Sequence, residues 1–101
     1  MASKNKITPI HPGEILLKEF LEPMNISQYK LAKDIGLPLS RINQITLGRR
    51  VITAETALLL SKYFSLSEGF WLNLQNRYDL ETAKDKLKSK LDSVSVISVA
   101  A

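Results

Sequence analysis

Asn43 and Gln44 sit side by side in the run LSRINQ, Leu39 to Gln44, with Arg49 and Arg50 a few residues on. A side-chain amide both donates and accepts, so Asn and Gln can pair bidentately with N6 and N7 of adenine, while a serine such as Ser40 adapts to either kind of base edge. Arginines beside such residues can meet phosphates through their planar guanidinium groups. This is the chemistry of holding and reading duplex DNA. It is not catalytic chemistry: the chain has one histidine, no cysteine and no ligand-spaced carboxylate cluster. No active site, cofactor or metal is therefore expected.

Such residues read bases only if a helix presents them. Residues 27–47, SQYKLAKDIGLPLSRINQITL, predict two short helices joined by a tight turn. Ser27 is placed to cap the first, its hydroxyl accepting from an otherwise unpaired N–H. Leu31, Ala32 and Ile35 repeat at helical spacing and form its buried stripe. Gly36 ends it at a position that calls for positive φ. Leu37 plugs the corner, and Pro38 restarts the chain with a fixed φ near a helix N-terminus. Ile42 and Ile45 carry the second stripe, and Gly48 closes the unit. A small residue at 32, a glycine at 36 and a β-branched residue at 42 suit two helices crossing steeply. That is a helix-turn-helix, whose second helix turns Leu39, Ser40, Arg41, Asn43 and Gln44 outward. An αα-hairpin in a small bundle, with its polar face merely solvated, is the alternative.

Charge favours the first reading. The net charge is only +4, but between Ser27 and Ile52 lie Lys30, Lys33, Arg41, Arg49 and Arg50 against Asp34 alone. The preceding segment carries Glu14, Glu19 and Glu22 against Lys18. The basic excess thus lies on and beside the reading unit, as phosphate contact by Arg41, Arg49 and Arg50 requires. A second cluster, Lys84 to Lys90, reads as a solvated helix face.

The remaining chain supplies the support. Residues 1–10 read as a flexible segment, with Pro9 keeping Thr8 extended. Pro12 opens a first helix carrying Ile15, Leu16, Phe20 and Leu21, and Pro23 is expected to stop it near Glu22. His11, just before the start, reads as a cap or surface residue. Thr53 caps a helix over Ala54 to Phe64 with Ala57, Leu60 and Phe64 inward. Ser67 is expected to cap the next, from Glu68 to about Tyr78. Five of the seven aromatics fall between Tyr63 and Tyr78, which could be a stacking platform for single strands but fits an aromatic core better. Asp79 or Thr82 is expected to restart a last helix, whose stripe of Leu80, Ala83, Leu87 and Leu91 could pack on its own domain or form a dimer seam. The tail from Val94 alternates apolar residues with serines, and could pair as a strand or be disordered.

At 101 residues the chain suits one unit able to bury a core without disulfides. We divide it into a flexible segment, 1–10, a DNA-binding domain, 11–79, and a C-terminal helix and tail, 80–101. No apolar run has the length of a membrane span and no signal-peptide pattern is visible, so a cytoplasmic protein without membrane contact is expected.

Three stretches resemble a known family: HPGEILLKEFLEP at 11–23, LAKDIGLPLSRINQITLGRRVITAETALLLSKYF at 31–64 and FWLNLQNRYDLETA at 70–83. They are similar to the HigA-type antitoxins of bacterial toxin–antitoxin modules, also known as virulence-associated protein I. The resemblance covers residues 7–83, and its HPGEIL and FWLNLQ elements are far more specific than a helix-turn-helix alone. It implies an all-α fold, a five-helix phage-repressor-like domain, here with an additional C-terminal helix and apolar tail. It implies a homodimer on palindromic double-stranded operator DNA that represses its own operon and neutralises a cognate HigB/RelE-like mRNA endonuclease toxin. The family's base-reading positions fall on Leu39, Ser40, Asn43 and Gln44, and Ser27 and Gln28 match positions that approach the DNA backbone. Relatives often carry Ser or Arg where this chain has Pro38 and Leu39. The second helix therefore lacks a side-chain cap, and Leu39 could still contact a thymine methyl. After Ala83 relatives vary, so toxin contacts cannot be carried over. Two other functions compete: a stand-alone phage-type repressor without a toxin, and a protein-interaction domain that does not read DNA.

Overall fold

The computed structural model describes residues 8–98. The expectations for residues 1–7 and 99–101 lie outside the described residues. All regular secondary structure among the described residues is helical, with no strand, and residues 94–98 are neither helix nor strand.

Helix α1 covers residues 12–24. His11 caps it, Nδ1 accepting from the Gly13 N–H at 2.9 Å, and Pro12 occupies the first turn where no N–H is needed. A wide π turn, Leu16–Leu21, follows, and the Glu22 N–H donates to the Leu17 carbonyl. Pro23 does not stop the helix near Glu22 as expected. The chain stays helical to Met24 and ends only at Asn25, which is left-handed with φ 57°. A proline ring clashes with the carbonyl four residues back in a regular α-helix, and the wider turn before it relieves that conflict.

Helices α2, Gln28–Ile35, and α3, Leu39–Thr46, form the expected pair. Ser27 Oγ accepts from the Lys30 N–H at 3.0 Å. At the turn Gly36 has φ 75°, and the Ala32 carbonyl accepts from both the Gly36 and the Leu37 N–H. Pro38 precedes α3 in an extended conformation and gives it no side-chain cap. Helix α4, Ala54–Phe64, starts at Thr53, whose hydroxyl accepts from the Thr56 N–H, and ends at left-handed Ser65.

Helix α5 differs from its expected form at both ends. It begins at Phe70 rather than Glu68, behind Gly69, and it is the Ser67 carbonyl, not a hydroxyl cap, that closes the turn by accepting from the Phe70 N–H. It then runs to Lys86 without the break expected at Asp79 or Thr82. Both of those side chains are engaged within the helix. Asp79 Oδ1 accepts from Gln75 Nε2 at 3.0 Å, and Thr82 Oγ1 donates to the Asp79 carbonyl at 3.1 Å. The Asp79 carboxylate is thus held by a side chain of the same helix, and the Thr82 hydroxyl bonds back to the carbonyl three residues earlier, so neither is left to accept from the N–H groups of a new helix start. Only at Leu87 does the chain break, before a short α6, Lys88–Ser93.

The core lies where α1 to α5 meet. Leu16, Leu31, Ile42, Ile45, Leu60 and Trp71 are fully buried. Trp71, Phe20, Phe64 and Phe70 stack edge to face or tilted with ring centroids 4.9–6.4 Å apart, so the aromatic cluster is core rather than a stacking platform. Fully burying one such ring contributes about 1.5–3 kcal/mol by area. Beyond this core the stripe on the C-terminal helices stays largely at the surface: Leu80, Leu87 and Leu91 are 63, 43 and 50 % exposed. None of the three belongs to the buried core of the domain. No helix among the described residues is long and apolar enough to cross a membrane.

Candidate nucleic-acid interface

Leu39, Ser40, Asn43 and Gln44 are all exposed on α3. At 100° per residue they fall within an arc of about 140°. Ile42 and Ile45, both fully buried, occupy the opposite side. Arg41 sits at the boundary between the two faces and is half-buried. The same α3 sequence therefore anchors the helix in the core and offers an exposed face that is polar except for Leu39.

Four arrangements aim that face. Ala32 of α2 is buried, 4 % exposed, and α2 packs directly on α3, an arrangement in which a small side chain lets the backbones approach. Thr46 Oγ1 lies 3.3 Å from Gln28 Oε1 and 3.0 Å from the Asn43 carbonyl, tying the start of α2 to the second half of α3. From the other side, α1 meets α3 at Gly13, so closely that a Cβ there would fall 1.7 Å from the Ile45 carbonyl oxygen. The loop after α3 is pinned by the Ile52 N–H, which donates to Gln75 Oε1 at 2.8 Å in a buried site. Gln75 in turn donates to Asp79.

His11 joins the same junction. Its ring packs edge-on against Tyr78 of α5 with centroids 4.9 Å apart, and it faces Gly48 at the end of the reading unit. Burial lowers its pKa below the usual histidine value, outweighing the nearby Asp79 carboxylate, which acts the other way. Neutral His11 can accept from Gly13. Protonated His11 cannot.

The basic residues are not equivalent. Lys30 Nζ is 3.0 Å from Asp34, which also accepts from the Tyr63 hydroxyl at 2.6 Å. The Tyr63 hydrogen bond, then Lys30, hold the Asp34 carboxyl below its usual range, and the same contacts raise Lys30 and Tyr63. This group ties α2 to α4 and partly neutralises Lys30. Arg49 and Arg50 are exposed on the loop beyond α3. The Arg49 N–H donates to the Gln44 carbonyl at 2.9 Å, and Arg50 Nε donates to Gln44 Oε1 at 2.8 Å. Ser27 and Gln28 lie at the N-terminus of α2, with Gln28 linked to Thr46 as above.

Sequence reasoning placed the candidate base-reading residues on one exposed face, as found, but missed Gly13, Gln75 and the link between Arg50 and Gln44. A glutamine at the same register as the apolar positions of α5, four residues after Trp71, was the available signal for Gln75. Gly13 gave no such signal, since a glycine in a first helical turn is locally unremarkable.

A helix-turn-helix family profile matches residues 17–71. Virulence-associated protein I of Dichelobacter nodosus is 48 % identical over 88 residues, which cover 87 % of this chain and 82 % of that protein. Antitoxin HigA-1 of Vibrio cholerae is 32 % identical over 96 % of this chain and 91 % of its own. Among solved structures, Pseudomonas aeruginosa antitoxin HigA with the higBA promoter superposes with a TM-score of 0.85 at 37 % identity, covering 89 % of this chain and 99 % of that one.

Proposed function

Because the chain belongs to the helix-turn-helix family of HigA-type antitoxins and virulence-associated protein I, we propose that it is a sequence-specific DNA-binding antitoxin that represses its own operon. It is a binding protein, not an enzyme. The observation that carries this reading is the α3 face: Leu39, Ser40, Asn43 and Gln44 exposed together on a helix whose other side is locked into the core. The solved complex of the HigA relative with its promoter supports it.

Residues 11–79 carry the DNA-binding domain; because α5 continues past that limit to Lys86, the added element is the short α6, Lys88–Ser93, rather than a helix that begins at 80. Asn43 and Gln44 pair with base edges, Ser40 adapts to either donor or acceptor, and Leu39 meets a thymine methyl. Ser27, Gln28, Arg41, Arg49 and Arg50 contact phosphates on either side of the groove. Two copies, paired as a homodimer, set their α3 helices into major grooves one turn apart on a pseudo-palindromic site. The protein partner is a HigB/RelE-like toxin, bound and held inactive in the cytoplasm.

The test is co-expression of the tagged chain with the small reading frame beside its gene, with co-purification and a growth assay, alongside binding to the chain's own upstream duplex. Growth arrest by the neighbour alone, relieved by this chain through binding, is expected. A harmless or non-binding neighbour with retained duplex binding would leave a stand-alone repressor. Loss of duplex binding as well would leave a protein-interaction domain.

A further inference from the structure

Resting on that DNA-reading assignment, we propose that Arg50 is a positioning residue for base recognition, fixing the amide of Gln44 so that Gln44 selects adenine. The chemistry of the 2.8 Å contact settles which end of the amide is which. Arg50 Nε can only donate, so the atom it meets must be the Gln44 oxygen. Gln44 Nε2, with two hydrogens, is thereby directed away from Arg50, and Oε1 keeps a second lone pair. Adenine matches that arrangement, its N7 accepting from Nε2 and its N6 amino group donating to Oε1. Guanine does not, because its O6 would set acceptor against acceptor at Oε1.

The contact lies at the surface, but the backbone on both sides of it is held. The Arg49 N–H donates to the Gln44 carbonyl, and Gly48 turns the chain with φ 75°. Two residues further on, the Ile52 N–H is anchored on buried Gln75. Arg50 is thus returned over Gln44 by a short loop tied at both ends. A glutamine held in its reading rotamer loses less conformational freedom on binding than a free one. The guanidinium is suited to this double task, since Nε can hold the amide while the two terminal nitrogens face a phosphate.

The full chain is first used to select from a DNA duplex library with a randomised core, and each base pair of the selected duplex is then changed in turn. Gln44→Ala should lose preference at one base pair, by about 5- to 150-fold, the range for a bidentate contact. Arg50→Ala should lose most of the preference at that same base pair, and should remove none further in the Gln44→Ala background. Arg50→Lys should keep the salt dependence while losing the preference. Both side chains are exposed, so unchanged melting by circular dichroism is expected of each variant. If Arg50→Ala weakens every duplex equally, taking about one from the salt slope and leaving the preference intact, Arg50 is a phosphate contact only and the proposal is overturned. It is overturned also if Gln44→Ala loses preference nowhere. A wild-type chain that selects no sequence would overturn the DNA-reading assignment itself, a result distinct from either.

Discussion

Placing a methyl group on Gly13 tests the packing that aims α3. An ideal Cβ there falls 1.7 Å from the Ile45 carbonyl oxygen and 2.6 Å from its carbon, with His11 Nδ1 at 3.1 Å. Both of the nearest atoms are backbone, so no side chain can turn aside; α1 and α3 must separate by roughly 1 Å or more. Overpacking of a tight site costs about 1–3 kcal/mol, and a clash with fixed backbone belongs at the upper end. Against this, alanine is better than glycine inside a helix by up to about 1 kcal/mol. The clash wins, and Gly13→Ala should be destabilised by about 2 kcal/mol. For a domain of this size that is a fall of roughly 8–16 °C in Tm, readable by circular dichroism and confirmed by the urea midpoint. Gly36→Ala is the control. A Cβ at Gly36 meets nothing within 4 Å, but the residue has φ 75°, so its cost is backbone strain alone, about 1–2 kcal/mol. The two variants should then differ in function. Gly13→Ala should weaken duplex binding even below its melting transition, because α3 is displaced against α1. A Gly13→Ala protein that melts with the wild type and binds normally would refute the close approach of α1 to Ile45, and with it the account of how α3 is aimed.

Stability should also depend on pH through His11. Its folded pKa is depressed by burial, so the unfolded chain takes up the proton first as pH falls. The stabilisation is fully present above about pH 6.5 and declines from there as pH drops through the lower folded value. His11→Asn, which preserves a capping acceptor, should flatten the difference in urea midpoint between pH 7.5 and 5; a wild type equally flat would remove His11 from the balance. Gln75→Leu leaves the Ile52 N–H buried without its acceptor and should cost about 1–3 kcal/mol in urea unfolding. An unaltered midpoint would mean that water replaces the amide. Ala32→Leu forces bulk into the α2–α3 crossing, and a loss of about 1–3 kcal/mol is expected; unchanged melting would argue against a close crossing at residue 32.

Much of this structure is written locally. Ser27 and Thr53 cap their helices because a hydroxyl next to a helical stripe reaches an N–H three residues on. Gly36 ends α2 because only a residue without Cβ takes φ 75° at little cost. The stripe of Ile42 and Ile45 fixes which side of α3 is buried, and so which side carries Asn43 and Gln44. These signals act within a turn or two, and they are legible before any fold is known. Along with the HPGEIL and FWLNLQ elements, they were enough to suggest the family.

The local signals that misled were those with another partner in the fold. Pro23 reads as a stop, but a π turn before it carries the helix past. Asp79 and Thr82 read as a new start, but Gln75 and the Asp79 carbonyl occupy them. What tertiary structure alone decided is what joins distant segments. Gly13 is an ordinary first-turn glycine until α3 comes to lie on it. Gln75 is an ordinary helical glutamine until the loop at Ile52 needs an acceptor. The pattern along a chain reports how each segment satisfies its own backbone and where its apolar side lies. It says nothing of which backbone atom, tens of residues away, will stand opposite a given side chain. Which residues of α3 share an exposed face was therefore present in the sequence, while the angle at which that face is held was settled only when α1, α3 and α5 packed together.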